Sequence, residues 1–302
     1  MAVWRIAVAS FALTFSAAAQ TQLNLTTSPI DVAAQMGTIS SVAMDRDGAI
    51  YVLQRGDKAD PVIVVNRQGR ILRSWGKGMF GVPHSIRFDP DGNVWTVDAG
   101  NSVLQKFTPE GKKLQEISVG EVATGEKCAF PTLCGTTDVT FGPNGHLFIS
   151  DGYGNARILE YSADGKRVRV WGNAGSGPGE FNIPHGIAFD GKGVLFVADR
   201  GNARIQRFDL EGRYLGEWKD LGRPFALKFM DGYLWVAGQA LQQEGGRTPS
   251  WLLKVDPATG KILARAEAPG PHSIDGNTSA EFVASGCCGG IKPTGFFLLK
   301  PQ

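Results

Sequence analysis

The chain of 302 residues carries 31 Lys and Arg against 29 Asp and Glu, for a formal net charge of +2. The basic residues are scattered and form no basic stripe, so the composition argues against a nucleic-acid partner. Forty glycines are spread along the chain, a pattern typical of frequent turns. The length fits a single domain.

The N-terminus has the layout of a secretory signal peptide. Arg5 provides a positive start, residues 6–15 form an apolar core, and the alanines at 17–19 suit a cleavage site. The apolar stretch is too short to span a bilayer comfortably, so we expect no membrane span. We therefore predict a signal peptide at 1–19 and a secreted or periplasmic mature protein, in which residues 20–36 form an N-terminal segment.

A unit of about 40 to 50 residues recurs along the rest of the chain. Each clear copy reads as a short alternating strand, a turn rich in Gly, Asp and Asn, and a second strand, with two further strands behind it. Six copies align on one register, beginning at Ser40, His84, Thr137, His185, Phe225 and His272. Four-stranded units at this period are typical of a β-propeller. We predict an all-β, six-bladed β-propeller over residues 37–302, with residues 21–30 as a further strand candidate for blade six.

Three of the four histidines follow a proline in one recurring frame, namely His84, His185 and His272. They open the inner strands of blades two, four and six, and these alternate blades face one another across the central channel. Three neutral imidazoles with an open fourth position form a common catalytic zinc site. The pattern predicts a zinc ion held by these three side chains, although each Pro-His pair could instead simply cap its strand. His146 is expected in a hairpin on the opposite face.

The turns between second and third strands lie on the same face as the three histidines. There, Arg55, Tyr153 and Arg200 stand where other blades carry mostly small residues, and side chains that depart from a structural repeat are good functional candidates. Arginine grips a carboxylate in a planar, bidentate way. A tyrosine beside a cation and a metal is expected to have a lowered pKa and to act as a general base. These residues predict a small-molecule or C-terminal peptide substrate that carries a carboxylate.

Four cysteines fit an oxidising compartment. Cys128 and Cys134 are close enough in sequence to staple a loop before blade three by a disulfide bond. Cys287 and Cys288 are adjacent, at the blade-six counterpart of the functional turns. They form either a strained vicinal disulfide or two thiols, and the sequence leaves both states open. A structural role is the simplest interpretation of all four cysteines.

Two segments share a longer sequence pattern within the repeat. Residues 149–158 read Ile-Ser-Asp-Gly-Tyr-Gly-Asn-Ala-Arg-Ile, and residues 197–206 read Val-Ala-Asp-Arg-Gly-Asn-Ala-Arg-Ile-Gln. With the three Pro-His motifs, they resemble the NHL-repeat propeller of peptidyl-α-hydroxyglycine α-amidating lyases, and the resemblance runs from about Val42 to His272. This family cleaves the C–N bond of an α-hydroxyglycine to give a carboxamide and glyoxylate, using zinc held by three histidines.

The resemblance implies a carbon–nitrogen lyase with assigned residue roles. Its zinc ligands would be His84, His185 and His272. Its catalytic residues would be Arg55, Tyr153 and Arg200. Zinc would lower the pKa of the substrate hydroxyl, Tyr153 would be the general base, and the arginines would hold the carboxylate.

The chain departs from the family at two places. The family commonly has an acid after the third histidine, which contributes to a structural calcium with main-chain carbonyls near Val42 and Ile86. Ser273 stands at that position, which puts a structural calcium in doubt. The family's cysteine in the Asp-Gly-Tyr-Cys frame is Gly154 here, so the family's disulfide pattern does not carry over.

Two other functions remain open from the residues. The first is a zinc hydrolase that acts on a small ester, lactone or amide at the same channel. The second is a non-catalytic NHL propeller that binds a protein or glycan partner, since this fold often serves as a scaffold. We expect a monomer in each case.

Overall fold

The computed structural model describes residues 21–120, 133–243, 248–268, 271–278, 281–286 and 295–301. Regular structure in these ranges consists of β-strands alone. The same ranges contain no helix long and apolar enough to cross a membrane. The predicted signal peptide at 1–19 lies outside the described residues.

The described strands form six sheets of four or five strands, arranged in chain order as propeller blades. The prediction of a six-bladed all-β propeller is confirmed. Blades one to three comprise Ile39–Met44, Ile50–Gln54, Val62–Val65 and Ile71–Trp75; Pro83–Phe88, Val94–Asp98, Val103–Phe107 and Lys113–Ser118; and Asp138–Phe141, Leu147–Asp151, Arg157–Tyr161 and Arg167–Trp171.

Blades four to six follow the same antiparallel order from the channel outward. They comprise Pro184–Phe189, Leu195–Asp199, Arg204–Phe208 and Tyr214–Trp218; Arg223–Met230, Tyr233–Gln239, Ser250–Val255 and Ile262–Glu267; and Pro271–Thr278, Glu281–Gly286, Phe296–Pro301 and Leu25–Pro29. Two short strands, Asn173–Ala174 and Glu180–Phe181, pair in parallel between blades three and four.

Burial falls from the channel to the rim of each blade. In blade one every residue of the three inner strands is buried, whereas three residues of the outermost strand Ile71–Trp75 are exposed. Inner strands have neighbouring blades on both faces, which is why Val62–Val65 reads as an unbroken run of Val and Ile. Exposed residues are concentrated in the outermost strand, because it lies at the rim of the blade.

Glycine turns in several blades pack against a tryptophan of the preceding blade. Gly111 adopts φ +92°, and a Cβ there would come within 2.5 Å of Trp75 in blade one. Gly260 repeats the arrangement against Trp218, at φ +76° and 2.6 Å. Only glycine combines a left-handed backbone with so close an approach of a neighbouring side chain. The tryptophan that ends the outer strand therefore packs directly on the backbone of the next blade.

The ring closes within blade six. Leu25–Pro29 pairs antiparallel with Phe296–Pro301 as the outermost strand, so the two ends of the described chain share one sheet. Of the candidate strand at 21–30, residues 25–29 thus belong to this blade. Thr21–Gln22 also pairs in parallel with the edge strand Ile262–Glu267 of blade five, which the sequence did not predict.

Candidate active site

The structure brings the three Pro-His histidines together at the channel axis. His84, His185 and His272 are each at most 6% exposed. One ring nitrogen from each lies within 4.8 Å of the other two, and the ring centroids are 4.8 to 5.2 Å apart. Within the part of the chain that the structure describes, these histidines are the one group of three or more side chains able to hold a metal ion.

A main-chain carbonyl of the next blade orients each imidazole. The Nδ1 of His84 lies 2.6 Å from the carbonyl oxygen of Thr137, and that of His185 lies 2.7 Å from the oxygen of Phe225. The Nδ1 of His272 lies 3.0 Å from the oxygen of Ser40. A carbonyl only accepts, so each Nδ1 carries the proton and each Nε2 presents a lone pair toward the axis.

Burial keeps these imidazoles neutral. Removal from water lowers the pKa of His84 and of His185 well below the ordinary value. It also lowers the pKa of His272 to about 3. A histidine must be neutral to ligate a metal, so at neutral pH all three are in the ligand form.

Tyr153 lies across the histidine cluster. Its hydroxyl oxygen is 2.8 Å from Nε2 of His84 and 3.0 Å from Nε2 of His185, and the side chain is 2% exposed. The residue follows the second strand of blade three, and its backbone N–H donates to the carbonyl of Gly135. One phenol hydrogen serves only one of two lone pairs at a time. The donor set therefore fits a cation such as zinc, which would satisfy the imidazole nitrogens together.

The pKa of Tyr153 depends on burial and on two nearby positive charges. Burial raises the pKa of the phenol, while the nearby charges of Arg200 and Arg55 oppose that rise. The expected lowering of this pKa beside both a cation and a metal stays a prediction, whereas the side chains alone raise it. The reason is desolvation of the phenolate in a site closed by three imidazoles.

Arg55 and Arg200 lie at the same mouth and are half-buried. The Nε of Arg55 donates to the carbonyl of Pro83, at 2.9 Å. Arg200 hydrogen-bonds Tyr153, and its guanidinium lies 4.3 Å from the centre of the Phe225 ring. Burial lowers the pKa of both guanidinium groups. The structure thus brings all six predicted site residues to one point.

Arg223 belongs to this mouth and was not predicted. It lies close enough to Arg200 for the two positive charges to repel and to contribute to the lowered pKa of Arg200. The signal was present in the repeat, because Arg223-Pro-Phe225 occupies the frame that reads Val-Pro-His84 and Ile-Pro-His185 elsewhere. Phe225 appeared in the alignment only as a residue that binds no metal.

The remaining candidates lie elsewhere. His146 sits in a turn outside the cluster, with Nδ1 2.7 Å from Glu160 Oε1. Cys134 is disulfide-bonded. Its predicted pairing is not tested, because the other three cysteines lie outside the described residues, namely Cys128, Cys287 and Cys288.

Ser273 takes part in a hydroxyl network between blades six and one. Its Oγ is 2.9 Å from Ser41 Oγ and accepts the N–H of Val42 at 3.3 Å. Ser41 Oγ in turn accepts the N–H of Ile86 at 3.3 Å. Calcium prefers several charged or carbonyl oxygens, and hydroxyls satisfied in this way supply no negative charge. We therefore derive no calcium site here.

Comparison with known proteins supports the same architecture. A family model described as a 6-bladed beta-propeller matches residues 134–237. A solved streptogramin B lyase aligns over 92% of this chain and 98% of its own, with a TM-score of 0.64 and 14% identity. A likeness at that identity concerns the fold alone.

Sequence relatives fall into two groups. The chain is 32% identical over 235 residues to a mouse peptidyl-glycine alpha-amidating monooxygenase, covering 66% of this chain but only 24% of that protein. It is 27% identical over 263 residues to a probable peptidyl-alpha-hydroxyglycine alpha-amidating lyase of Caenorhabditis elegans, covering 75% and 73%. It is 34% identical over 224 residues to the mouse NHL repeat-containing protein 3, covering 67% and 62%. The chain is thus a six-bladed β-propeller whose relatives include peptidyl-α-hydroxyglycine α-amidating lyases and NHL repeat proteins.

Proposed function

We propose that this protein is a zinc-dependent lyase that cleaves the C–N bond of a carboxylate-bearing α-hydroxyamide, giving an amide and glyoxylate. The observation that carries the proposal is the convergence of three neutral imidazoles with one phenol and two guanidinium groups. The names of the mouse and Caenorhabditis elegans relatives support this type of reaction.

The metal is proposed from the donor set. His84, His185 and His272 would hold zinc through Nε2, since each Nδ1 already donates to a carbonyl. When bound, zinc would supply a positive charge beside the substrate hydroxyl and lower the pKa of that hydroxyl.

The chain's own residues account for binding and proton movement. Arg200 and Arg55 offer guanidinium groups at the mouth, where they suit the carboxylate of the substrate. Tyr153 Oη lies against the imidazoles and is hydrogen-bonded to Arg200. The charge of bound zinc would oppose the effect of burial on the phenol's pKa, and Tyr153 as the phenolate would accept the hydroxyl proton. As the O–H proton leaves, the carbon–oxygen bond becomes a carbonyl, the C–N bond breaks, and the amide nitrogen takes up a proton. The products are the amide and glyoxylate, so atoms and charge balance.

A binding module without catalysis is the second candidate. It is favoured by the similarity to the NHL repeat-containing protein 3 of mouse, whose name states no activity. The two candidates differ in what they require of the channel, because a scaffold needs neither a metal nor a placed phenol at its axis.

Turnover of a simple model substrate tests the proposal. Zinc-loaded protein should convert α-hydroxyhippurate to equal amounts of benzamide and glyoxylate. Removal of zinc with a chelator should abolish this conversion, and added zinc should restore it. His185→Gln should lose both bound zinc, measured by elemental analysis, and turnover, whereas His146→Gln should keep both. Protein that binds zinc at the histidines but forms neither product would contradict the proposal.

A further inference from the structure

Arg223 breaks the repeat at the mouth of the site. Its frame in blades two and four carries Val82 and Ile183, each followed by Pro-His, whereas blade five reads Arg223-Pro-Phe225. Arg223 opens the inner strand of blade five, two residues before Phe225. The Phe225 ring lies 5.8 Å from the His185 ring and 5.9 Å from the His272 ring, so the strand that begins with Arg223 borders the metal-binding cluster directly.

Arg223 is half-buried and lacks a carboxylate partner within the described residues. Several buried or half-buried arginines away from the mouth have one, whereas Arg73 and Arg207 lie over the aromatic rings of Tyr51 and Trp218. Arg87 pairs with Asp138 at 2.7 Å, Arg157 with Asp151 at 2.8 Å, and Arg204 with Asp199 at 2.7 Å. A partly buried guanidinium costs free energy unless an anion compensates its charge. The uncompensated position of Arg223 therefore suits an anion that comes from outside the protein.

The positive charge at the mouth exceeds what one carboxylate needs. Arg55 and Arg200 lie there, and Arg223 is close enough for its charge to repel that of Arg200. One carboxylate accepts one bidentate guanidinium and at most a few further donors. The Arg200 guanidinium already lies over the Phe225 ring and hydrogen-bonds Tyr153. Arg200 is therefore engaged beside the histidine cluster. Within the described residues Arg223 makes no such contact, so it is left for a second group.

We propose that Arg223 forms a second anion subsite, and that the preferred substrates carry a second carboxylate on the acyl side of the bond that is cleaved. This inference rests on the proposed function, because the first carboxylate is the one next to the carbinol carbon. An acidic acyl group, such as a succinyl or glutaryl chain or an acidic residue before the hydroxyglycine, has the required chemistry.

Binding of two matched analogues tests the subsite without relying on turnover. N-succinylglycine has two carboxylates and no hydroxyl, so it is not a lyase substrate, and N-succinamoylglycine replaces the terminal carboxylate with a carboxamide of nearly the same shape. Isothermal titration of zinc-loaded protein at low salt should give about tenfold tighter binding of N-succinylglycine, since 1.4 kcal/mol corresponds to tenfold. Arg223→Gln should remove this preference, and Arg223→Lys should keep most of it.

Arg265→Gln is the matched control. Arg265 is an exposed residue of the same blade with its guanidinium 4.1 Å from the Trp251 ring, so the variant has the same net charge as Arg223→Gln and should keep the preference. Equal binding of the two analogues by the wild type, a preference that survives Arg223→Gln, or no binding of either analogue would each overturn the proposal. Turnover of α-hydroxyhippurate is measured separately, so the failure of the subsite and the failure of the lyase reaction are distinguishable.

Discussion

The same type of hydrogen bond orients each of the three histidines. Each Nδ1 donates to a carbonyl from a neighbouring blade that contributes no histidine to the cluster, at Ser40, Thr137 or Phe225. A main-chain carbonyl does this whatever the side chain, which explains why these three positions differ in residue type. Every Nε2 therefore faces the channel axis. In other proteins, hydrogen bonds from the second ring nitrogen orient metal-binding histidines in the same way.

Tyr153→Phe separates the phenol's proposed chemistry from metal binding. The variant keeps the ring that packs against His84 and His185 but loses the oxygen that lies 2.8 and 3.0 Å from their nitrogens. Zinc content should be unchanged, and kcat for α-hydroxyhippurate should fall about 100-fold or more, in the range typical of a lost general base. Stopped assays of glyoxylate and elemental analysis measure the two quantities.

Tyr161→Phe is the control for this substitution. Tyr161 is a buried tyrosine of the same blade, 4% exposed, whose hydroxyl donates to the carbonyl of Val119 away from the cluster. Its variant should keep normal turnover. If Tyr153→Phe also retains its rate, Tyr153 has no part in the proton transfer.

Among the elements, blade three connects two of the metal-binding candidates. The carbonyl of Thr137 accepts from His84, and its hydroxyl is 2.8 Å from the carbonyl of Pro184. Ser150, on the second strand, donates to the carbonyl of His185 at 2.8 Å. The Thr137 carbonyl links blade three to blade two, and the two buried hydroxyls link it to blade four. A blade that contributes no histidine to the cluster therefore still helps to set the geometry of the cluster.

Thr137→Val tests this contribution. The variant removes the hydroxyl that contacts Pro184 and Ser150 while keeping the shape of the side chain. We expect zinc affinity to fall about tenfold, because indirect support of metal ligands is commonly worth 10–100-fold. Competition with a chelating dye measures the affinity, and Thr137→Ser should restore it.

Thr136→Val provides the matched comparison. Thr136 is equally buried, at 0% exposed, but its hydroxyl donates to the carbonyl of Asp98 at 3.2 Å. Both valine variants should lose about 1–2 kcal/mol of stability, and only Thr137→Val should lose metal affinity. Equal affinities in the two variants would show that the Thr137 hydroxyl has a structural role alone.

At the scale of the whole molecule, ring closure and the candidate metal site share blade six. Blade six contains His272 and is completed by the N-terminal strand Leu25–Pro29. Ile30 follows that strand, is 8% exposed, and belongs to a core cluster with Phe296 and Leu298. Loss of this contact should therefore loosen the closure and with it one side of the histidine cluster.

Ile30→Ala should lower the free energy of unfolding by about 2–5 kcal/mol, the usual cost of removing a buried Ile side chain. Urea titration of metal-free protein measures the loss. Zinc at 100 times its dissociation constant should add about 2.7 kcal/mol to either protein, because it binds only the folded ring. Leu241→Ala, at a side chain 60% exposed, should change stability little, and an Ile30→Ala midpoint equal to that of this control would contradict the proposed closure.

The order of residues alone determined the number of blades, the alternate placement of His84, His185 and His272, and the face that Arg55, Tyr153 and Arg200 share. A repeat of fixed period implies a fixed rotation per blade, so register along the chain becomes position around the ring. Arg223 could have been predicted in the same way, because it departs from the Pro-His frame.

Only the tertiary structure decided how the imidazoles are turned, that Tyr153 Oη lies between two of them, that burial raises the pKa of that phenol, and that Leu25–Pro29 closes the ring. These features depend on contacts between blades, such as that of Ser41 with Ser273 across 232 residues of sequence. Local periodicity carries no information on such distances, and desolvation arises only when the blades pack around the axis.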